Sequence, residues 1–207
     1  MIRILIALIL TTQSVMAFNL NGKKLASDKV TMLLPRAFNH KLMRKRMKII
    51  RNQFTDTTGV KVKIRYHDLR FNSLLDAVNF VSEHDVILVL YKPDTSYGLA
   101  SSKVAKADFT TTNGGTLVTG GLIRINDIRY QQAIEGLESR PNYALNYLAN
   151  VNWHETSHLA GLDHINKPKS IMFGGGKFSM LRNLGFSRDD KRGLRAIYRG
   201  YKQVKGK

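Results

Sequence analysis

One stretch of the sequence, residues 151–173, places three histidines, a glutamate and a glycine at fixed intervals. These residues have the spacing H-E-x-x-H-x-x-G-x-x-H and are His154, Glu155, His158, Gly161 and His164. Histidines four positions apart on a helix project from the same face, so His154 and His158 can bind one metal ion. A continued helix would carry His164 away, whereas a glycine at position 161 can end the helix and turn the chain back. The spacing therefore predicts a helix that ends near Gly161 and a site of three histidines.

Three histidine ligands leave a fourth position for water, which is the arrangement of a catalytic zinc ion rather than a structural one. Glu155 lies about 100° round the helix from His154, where its carboxylate can reach that water instead of the metal. Zinc lowers the pKa of such a water to about 7, so we expect Glu155 to act as general base and then to protonate the departing amine. The site therefore predicts hydrolysis of an amide bond.

The alternative is that the motif occurs by chance and binds no metal. H-E-x-x-H also occurs on helices without a metal, and a single histidine is usually a core or surface residue. Three of the six histidines fall in ligand register here, with the glycine between them, which favours the zinc site. The other three have no comparable spacing and are expected to be structural or surface residues: His40, His67 and His84.

The first 17 residues have the pattern of a secretory signal peptide. A single arginine precedes an apolar run over residues 4–10, and the small residues Val15 and Ala17 are placed for cleavage before Phe18. An uncleaved membrane anchor is the alternative, but the run is shorter than the roughly 20 apolar residues that span a bilayer. We expect export to the periplasm or the extracellular space, with no stable membrane anchor.

Length and charge limit the protein further. A chain of 207 residues suits one domain, and the absence of cysteine excludes disulfides, thiolate ligands and a cysteine nucleophile. The net charge of +18 predicts attraction to polyanions such as nucleic acid, anionic lipid or cell-wall polymer, or to acidic protein substrates. A solvated basic surface without a dedicated partner is the alternative. Nothing in the pattern fixes the oligomeric state, and a monomer is expected.

Hydrophobic periodicity predicts the elements that precede the motif. Residues 29–35 suit a first strand, and residues 60–66 alternate apolar and basic side chains as a strand with one wet face does. Between them, an apolar stripe predicts a helix over 40–56, whose many basic residues are expected to form a solvated outer face. Residues 71–82 are weakly helical, and 85–91 form an apolar run that suits a strand buried on both faces.

The second half of the chain begins with a region rich in Gly, Ser and Thr, residues 92–121, which predicts turns and an edge strand. Residues 122–126 suit a short strand and are followed by a connector. Pro141 suits a first helical position, and the chain continues without a breaker to the glycine of the motif. A last helix is expected from Ser187, which forms a near capping box with Asp190.

With these features the sequence resembles the metzincin clan of zinc endopeptidases, and within it the matrixins. The five motif residues match, and residues 170–172 (SIM) lie where matrixins carry the methionine turn. Residues 186–198 resemble the matrixin last helix, and residues 98–100 (GLA) with 122–126 (LIRIN) resemble the edge and inner strands.

The resemblance implies an α+β fold in one catalytic domain, residues 18–207. A twisted, mixed five-stranded sheet with a backing helix and the active-site helix would form an upper subdomain over about 18–161. A small lower subdomain, about 162–207, would carry the methionine turn and the last helix. Met172 would be a hydrophobic floor beneath the metal, and a peptide substrate would bind extended along the edge strand.

Several positions depart from the matrixin pattern. Ile165 stands where many matrixins have serine, and residues 173–175 (FGG) replace the proline and tyrosine that wall the specificity pocket. The histidine and aspartate pattern of the matrixin structural zinc is missing between residues 85 and 126, so one catalytic zinc is expected. Calcium is undecided, with Asp94 and Asp108 as isolated candidates.

Latency is also open, because a chain without cysteine has no cysteine switch. Asp28 could block the zinc from a very short propeptide. Alternatively, signal cleavage gives the active enzyme directly, and the Phe18 ammonium pairs with Asp189 or Asp190, as matrixin N-termini do.

We therefore expect a secreted zinc endopeptidase with His154, His158 and His164 as ligands and Glu155 as base. One alternative is a basic secreted protein that binds a polyanion or a partner on a metzincin scaffold, with weak or no peptidase activity. Another is hydrolysis of an amide in cell-wall peptide.

Overall fold

A computed structural model describes residues 19–92, 103–134, 139–174 and 183–199. The strands in these ranges are β1 (Asn19–Leu20), β2 (Lys24–Leu25), β3 (Lys29–Pro35), β4 (Lys61–His67), β5 (Val86–Lys92), β6 (Ala105–Thr112), β7 (Leu117–Asn126) and β8 (Leu162–Asp163). The α-helices are α1 (Lys41–Thr58), α2 (Leu74–His84), α3 (Asp127–Ile134), α4 (Pro141–Leu159) and α5 (Arg188–Tyr198).

The five long strands form one mixed sheet in the order β4-β3-β5-β7-β6. The first four are parallel, and β6 pairs antiparallel with β7. This confirms the predicted mixed five-stranded sheet. Two short pairings were not predicted: β2 lies parallel to the start of β7, and β1 pairs antiparallel with β8.

The sheet separates two layers of apolar side chains. On one face, α1 contributes a stripe with no solvent exposure to a core shared with α4 and α5: Met43, Met47, Ile50 and Phe54. On the other face, Ala77 and Val81 of α2 pack with Leu88, Leu90 and Leu122. Strand β5 is therefore covered on both sides, as its continuous apolar run predicts.

Helix α4 runs through this core. Pro141 occupies its first turn, and every residue from Tyr147 to Ser157 is buried. The indole of Trp153 has no solvent exposure and contacts the rings of Phe54 and Phe186 at centroid distances of 5.4 and 6.4 Å. Because this part of the helix is buried on every side, the packing of its side chains fixes its rotation.

The structure corrects the predicted connector after residue 126. Residues 127–134 form α3, because the Asn126 side chain accepts a hydrogen bond from the Arg129 N–H at 3.2 Å and caps the helix. Strand β7 also begins at Leu117, five residues before the predicted start. The edge strand is β6, whereas residues 98–100 lie outside the described residues. No described helix is long and apolar enough to cross a membrane.

Candidate metal centre and active site

The structure brings the three motif histidines together. Their Nε2 atoms lie 3.1 Å (His154 to His164), 3.2 Å (His154 to His158) and 3.3 Å (His158 to His164) apart. Zinc–nitrogen bonds of about 2.0 to 2.1 Å at a tetrahedral angle place two nitrogens about 3.3 Å apart. The triangle of nitrogens therefore has the size that one zinc ion requires. Among the described residues it is the one cluster of three or more potential ligands.

Hydrogen bonds made by Nδ1 of His154 and of His158 determine whether the Nε2 atoms of these rings carry a proton. His154 Nδ1 lies 2.7 Å from the carbonyl oxygen of Ile171, and His158 Nδ1 lies 2.9 Å from that of Leu162. A carbonyl only accepts, so each Nδ1 carries the proton and each Nε2 of a neutral ring has a lone pair. Two lone pairs 3.2 Å apart repel unless a cation lies between them, so the arrangement fits a metal ion better than a hydrogen-bonded cluster.

Burial also favours the neutral form of the histidine rings. His154 is 7% exposed, and burial together with the neighbouring His158 lowers its pKa to about 3. Burial also lowers the pKa of His158. Both rings are therefore neutral at physiological pH, which is the form that binds a metal.

The turn after α4 delivers the third histidine. Gly161 has a φ of 106°, and the added Cβ of any other residue would lie 2.1 Å from the carbonyl oxygen of Lys23. The glycine is therefore required twice, by its backbone angle and by the chain that crosses it. After this turn, β8 leads to His164, whose backbone N–H donates to the side chain of Asp163 at 2.7 Å. The predicted role of Gly161 in ending the helix is confirmed.

The SIM segment, residues 170–172, holds His154 and the residue after His164 by hydrogen bonds to its backbone carbonyls. Its Ile171 carbonyl orients His154, and its Met172 carbonyl accepts the N–H of Ile165, next to His164. Met172 is 1% exposed and belongs to the main core. The following Gly174 lies against the imidazole of His164, since a Cβ there would be 3.3 Å from the ring carbon Cγ.

Asp190 fixes this segment, and sequence reasoning missed this contact. Asp190 is 1% exposed and accepts hydrogen bonds from the Ser170 hydroxyl, the Ile171 N–H at 3.0 Å and the Ser187 N–H at 2.8 Å. The carboxylate therefore holds Ile171, whose carbonyl orients His154, and the preceding Ser170. The capping-box pattern correctly placed Asp190 at the start of α5 but gave no sign of its second partner.

Glu155 lies on α4 next to His154 in the sequence and is 7% exposed. Burial raises the pKa of its carboxyl to about 7, although the Ala107 N–H and the charge of Lys103 oppose the rise. Such a group can take up and release a proton near neutral pH, as a general acid–base residue must. Its role as general base stays a prediction.

The remaining histidines lie elsewhere, as predicted. His40 caps α1 by accepting the Met43 N–H, His67 at the end of β4 contacts the Val89 carbonyl, and His84 contacts the Phe80 carbonyl.

The acidic residues considered for calcium or latency also have places in the structure. Asp108 is not isolated, because it forms ion pairs with Arg124 and Lys106, and Asp94 lies outside the described residues. Asp28 does not belong to the histidine cluster, and its carbonyl accepts the Lys61 N–H.

The predicted partners of Phe18 are engaged elsewhere. Asp189 pairs with Lys167 at 2.8 Å and Arg192 at 3.5 Å, while Asp190 is enclosed by the three donors described above. Phe18 itself lies outside the described residues.

Comparisons with known proteins identify relatives of the chain. A sequence model of the matrixin peptidase family matches residues 12–199. Macrophage metalloelastase from Oryctolagus cuniculus is 44% identical over 50 residues, which are 24% of this chain and 11% of that protein. The chain thus matches about a tenth of the length of this relative.

Two solved structures are similar to parts of this chain. Archaemetzincin from Methanopyrus kandleri has a TM-score of 0.52 at 12% identity, over 86% of this chain and 97% of that one. A zinc-dependent peptidase from Methanocorpusculum labreanum has a TM-score of 0.48 at 13% identity, over 80% and 99% of the two chains. The family match extends over most of the sequence and includes every residue of the histidine cluster. The chain therefore belongs to the matrixin family of peptidases.

Proposed function

We propose that the protein is an exported zinc-dependent endopeptidase, with His154, His158 and His164 as metal ligands and Glu155 as general base. The observation that carries the proposal is the triangle of Nε2 atoms, 3.1 to 3.3 Å on each side, with a buried carboxyl on the adjacent residue. A chance cluster of histidines would not direct both helical Nδ1 atoms at carbonyl groups and leave their lone pairs facing one point.

Bound zinc would supply a Lewis acid that polarises the substrate carbonyl and acidifies a water molecule. The chain supplies the rest of the chemistry. The Glu155 carboxylate takes a proton from the attacking water and later gives it to the departing amine nitrogen. Since burial raises the pKa of Glu155 to about 7, both protonation states are accessible at neutral pH.

The edge strand offers a place for the substrate. Within the described residues β6 pairs with β7 alone, so its other edge is the candidate place for an extended substrate. An extended peptide can add to such an edge by main-chain hydrogen bonds, which gives affinity with little dependence on side chains. We propose peptides or proteins as substrates on this basis.

Export rests on the sequence of residues 1–17, which resembles a cleaved signal peptide. N-terminal sequencing of the protein recovered outside the cytoplasm tests it. A mature chain that starts at Phe18 is the expected result, whereas retention of the first residues would contradict cleavage.

Replacement of the general base tests the chemistry. Glu155→Gln keeps the shape of the side chain but cannot accept the proton, so cleavage of a peptide library should fall by about 100-fold or more. Zinc content should stay near that of the wild type, because the three nitrogens are unchanged. Glu83→Gln, on the exposed side of α2, is the control and should cleave normally. Retained cleavage in Glu155→Gln would exclude the mechanism.

A second candidate function is binding of a polyanion. Exposed basic side chains of β4 and α1 take part in none of the ion pairs between described residues: Lys61, Lys63, Arg65, Lys41, Lys45 and Lys48. Retention on DNA or anionic polymer that decreases with salt and with the triple change Lys61→Ala, Lys63→Ala and Arg65→Ala would support it. Equal retention of the triple variant would count against this surface.

A further inference from the structure

The segment before the sheet crosses the metal-binding turn. Strand β1 pairs antiparallel with β8, so Leu20 lies opposite Leu162 immediately after the Gly161 turn. The chain then crosses Gly161 so closely that the Lys23 carbonyl occupies the place of a side chain there. Beyond it, β2 joins β7, and the Leu25 N–H donates to the Tyr198 hydroxyl at 2.9 Å. The segment is thus anchored on both sides of the turn.

Asn21 makes the polar contacts at the crossing. Its backbone N–H donates to the Gly161 carbonyl at 3.0 Å, and its side-chain Nδ2 donates to the carbonyls of His158 at 2.9 Å and Leu162 at 3.3 Å. The His158 carbonyl, near the end of α4, also accepts the Gly161 N–H at 3.2 Å, so the Asn21 amide is an additional donor to it. Asn21 thereby closes the C-terminal end of α4, 137 positions away in sequence.

The Leu162 carbonyl, which follows the turn, also orients a predicted metal ligand. The Leu162 oxygen accepts a hydrogen bond from His158 Nδ1, 2.9 Å away, and from Asn21 Nδ2. The amide orientation is fixed independently, because Asn21 Oδ1 accepts the Lys23 N–H at 3.1 Å and Nδ2 must then face the carbonyls. The ring of His158 and the amide of Asn21 therefore hold the same oxygen from two directions.

We propose that Asn21 is a positioning residue for the metal site: its amide fixes the Leu162 carbonyl and, through it, the ring of His158. The inference rests on the proposed zinc function. Partners hydrogen-bonded directly to a ligand contribute about 10- to 100-fold to metal affinity in other proteins, and Asn21 acts one hydrogen bond further out, so about 10-fold is expected for it. The N-terminal segment is then part of the site, although none of its residues touches the metal.

Two variants separate the donor from the turn that Asn21 also forms. Asn21→Asp keeps an oxygen for the Lys23 N–H but replaces the amide donor by a second acceptor. Asn21→Ala removes both. The matched control is Lys23→Ala in the same segment, which loses a hydrogen bond to the Gly115 carbonyl and a contact with the Phe109 ring but leaves the metal turn untouched.

The readouts are the zinc dissociation constant, by competition with a chromophoric chelator, and the exchange rate of the His158 Nδ1 proton, by NMR of the zinc-loaded protein. We expect about 10-fold weakening of zinc binding and faster proton exchange in both Asn21 variants, with Lys23→Ala within about twofold of the wild type.

Each other outcome overturns a stated part. Zinc affinity of Asn21→Asp within twofold of the wild type would exclude the donor role, and equal weakening in Lys23→Ala would assign the effect to the segment as a whole. Urea unfolding of the metal-free proteins shows whether the variants fold. If both Asn21 variants are unfolded without zinc, the residue serves the fold rather than the ligand. Failure of the wild type to bind zinc would instead refute the proposed function.

Discussion

The two halves of the metal centre are built by different means. His154 and His158 stand on a buried helix, where the chain itself sets their spacing and the core sets the direction of the face. His164 stands on an exposed turn, and its position depends on groups far away in sequence. Lys23 lies over the turn at Gly161, and the Met172 carbonyl accepts the N–H of the next residue, Ile165.

The difference has a physical consequence. A helix carries its side chains to fixed positions through bonds between near neighbours, so its half of the site forms whenever the helix packs. A turn has no such internal constraint, and its conformation is selected by contacts with other segments. Substitutions should therefore damage this site mainly by displacing the third ligand, His164. His154 and His158 should keep their positions as long as the core is folded.

The largest effect is expected at the turn, for Gly161→Ala. The added Cβ would lie 2.1 Å from the Lys23 carbonyl oxygen, on a residue whose φ is 106°. We expect a loss of about 4 kcal/mol in the free energy of unfolding, together with loss of bound zinc. Urea denaturation and zinc analysis measure the two quantities.

Gly59→Ala provides the matched control, since Gly59 has a φ of 81° at the end of α1 but no atom within 4 Å of the added Cβ. That variant should lose only about 1 kcal/mol and keep its zinc. Similar losses at the two glycines would show that backbone angle alone matters and that the crossing segment does not.

The second largest effect is expected at Glu155 on α4, as a pH dependence of the free energy of unfolding of the metal-free protein. Burial raises the pKa of Glu155 from 4.5 to about 7, so the folded state holds an extra proton between these values. The free energy of unfolding contributed by Glu155 therefore falls as pH rises through this window, by about 3 kcal/mol in total. Glu155→Gln has no such group and should be equal to the wild type at pH 4 and more stable by about 3 kcal/mol at pH 8.

Urea midpoints in the presence of a chelator, taken from pH 4 to pH 8, measure this difference. The low pKa of His154, about 3, gives an opposite slope, but it is present in both proteins and cancels. Glu83→Gln on the exposed side of α2 should follow the wild type. A difference between Glu155→Gln and the wild type that does not change with pH would show that the carboxyl is solvated.

The same contrast explains how much the sequence could predict. The spacing of His154, Glu155 and His158 needs only the geometry of a helix, and the glycine signals its end, so ligands and base could be named from local pattern. The strands and helices of the sheet followed from periodicity for the same reason. These features depend on residues within one or two turns of each other.

Other features required the tertiary structure. Asn21 contacts the His158 carbonyl across 137 positions, and Asp190 contacts the Ile171 N–H across 19, distances at which a single sequence carries no signal of contact. Helix α3 was missed because its cap, Asn126, also ends a strand, so the pattern indicated the strand and concealed the cap. The short pairing of β1 with β8 has only two residues on each side and no periodicity to detect.

The smallest expected effect tests the support that the two halves share. Asp190 accepts hydrogen bonds from Ser170, Ile171 and Ser187, and the Ile171 carbonyl orients His154. Asp190→Asn keeps the volume but turns one acceptor oxygen into a donor that faces other donors. We expect a loss of about 2 kcal/mol in urea unfolding and about 10-fold weaker zinc binding.

Asp189→Asn changes the neighbouring position in the same helix and removes only exposed ion pairs with Lys167 and Arg192. Its free energy of unfolding should stay within about 0.5 kcal/mol of the wild type, with unchanged zinc affinity. If Asp190→Asn loses stability but binds zinc normally, the helical half holds His154 without help from the SIM segment. The two halves of the metal centre would then differ more strongly, because only His164 on the turn would depend on contacts with residues far away in sequence.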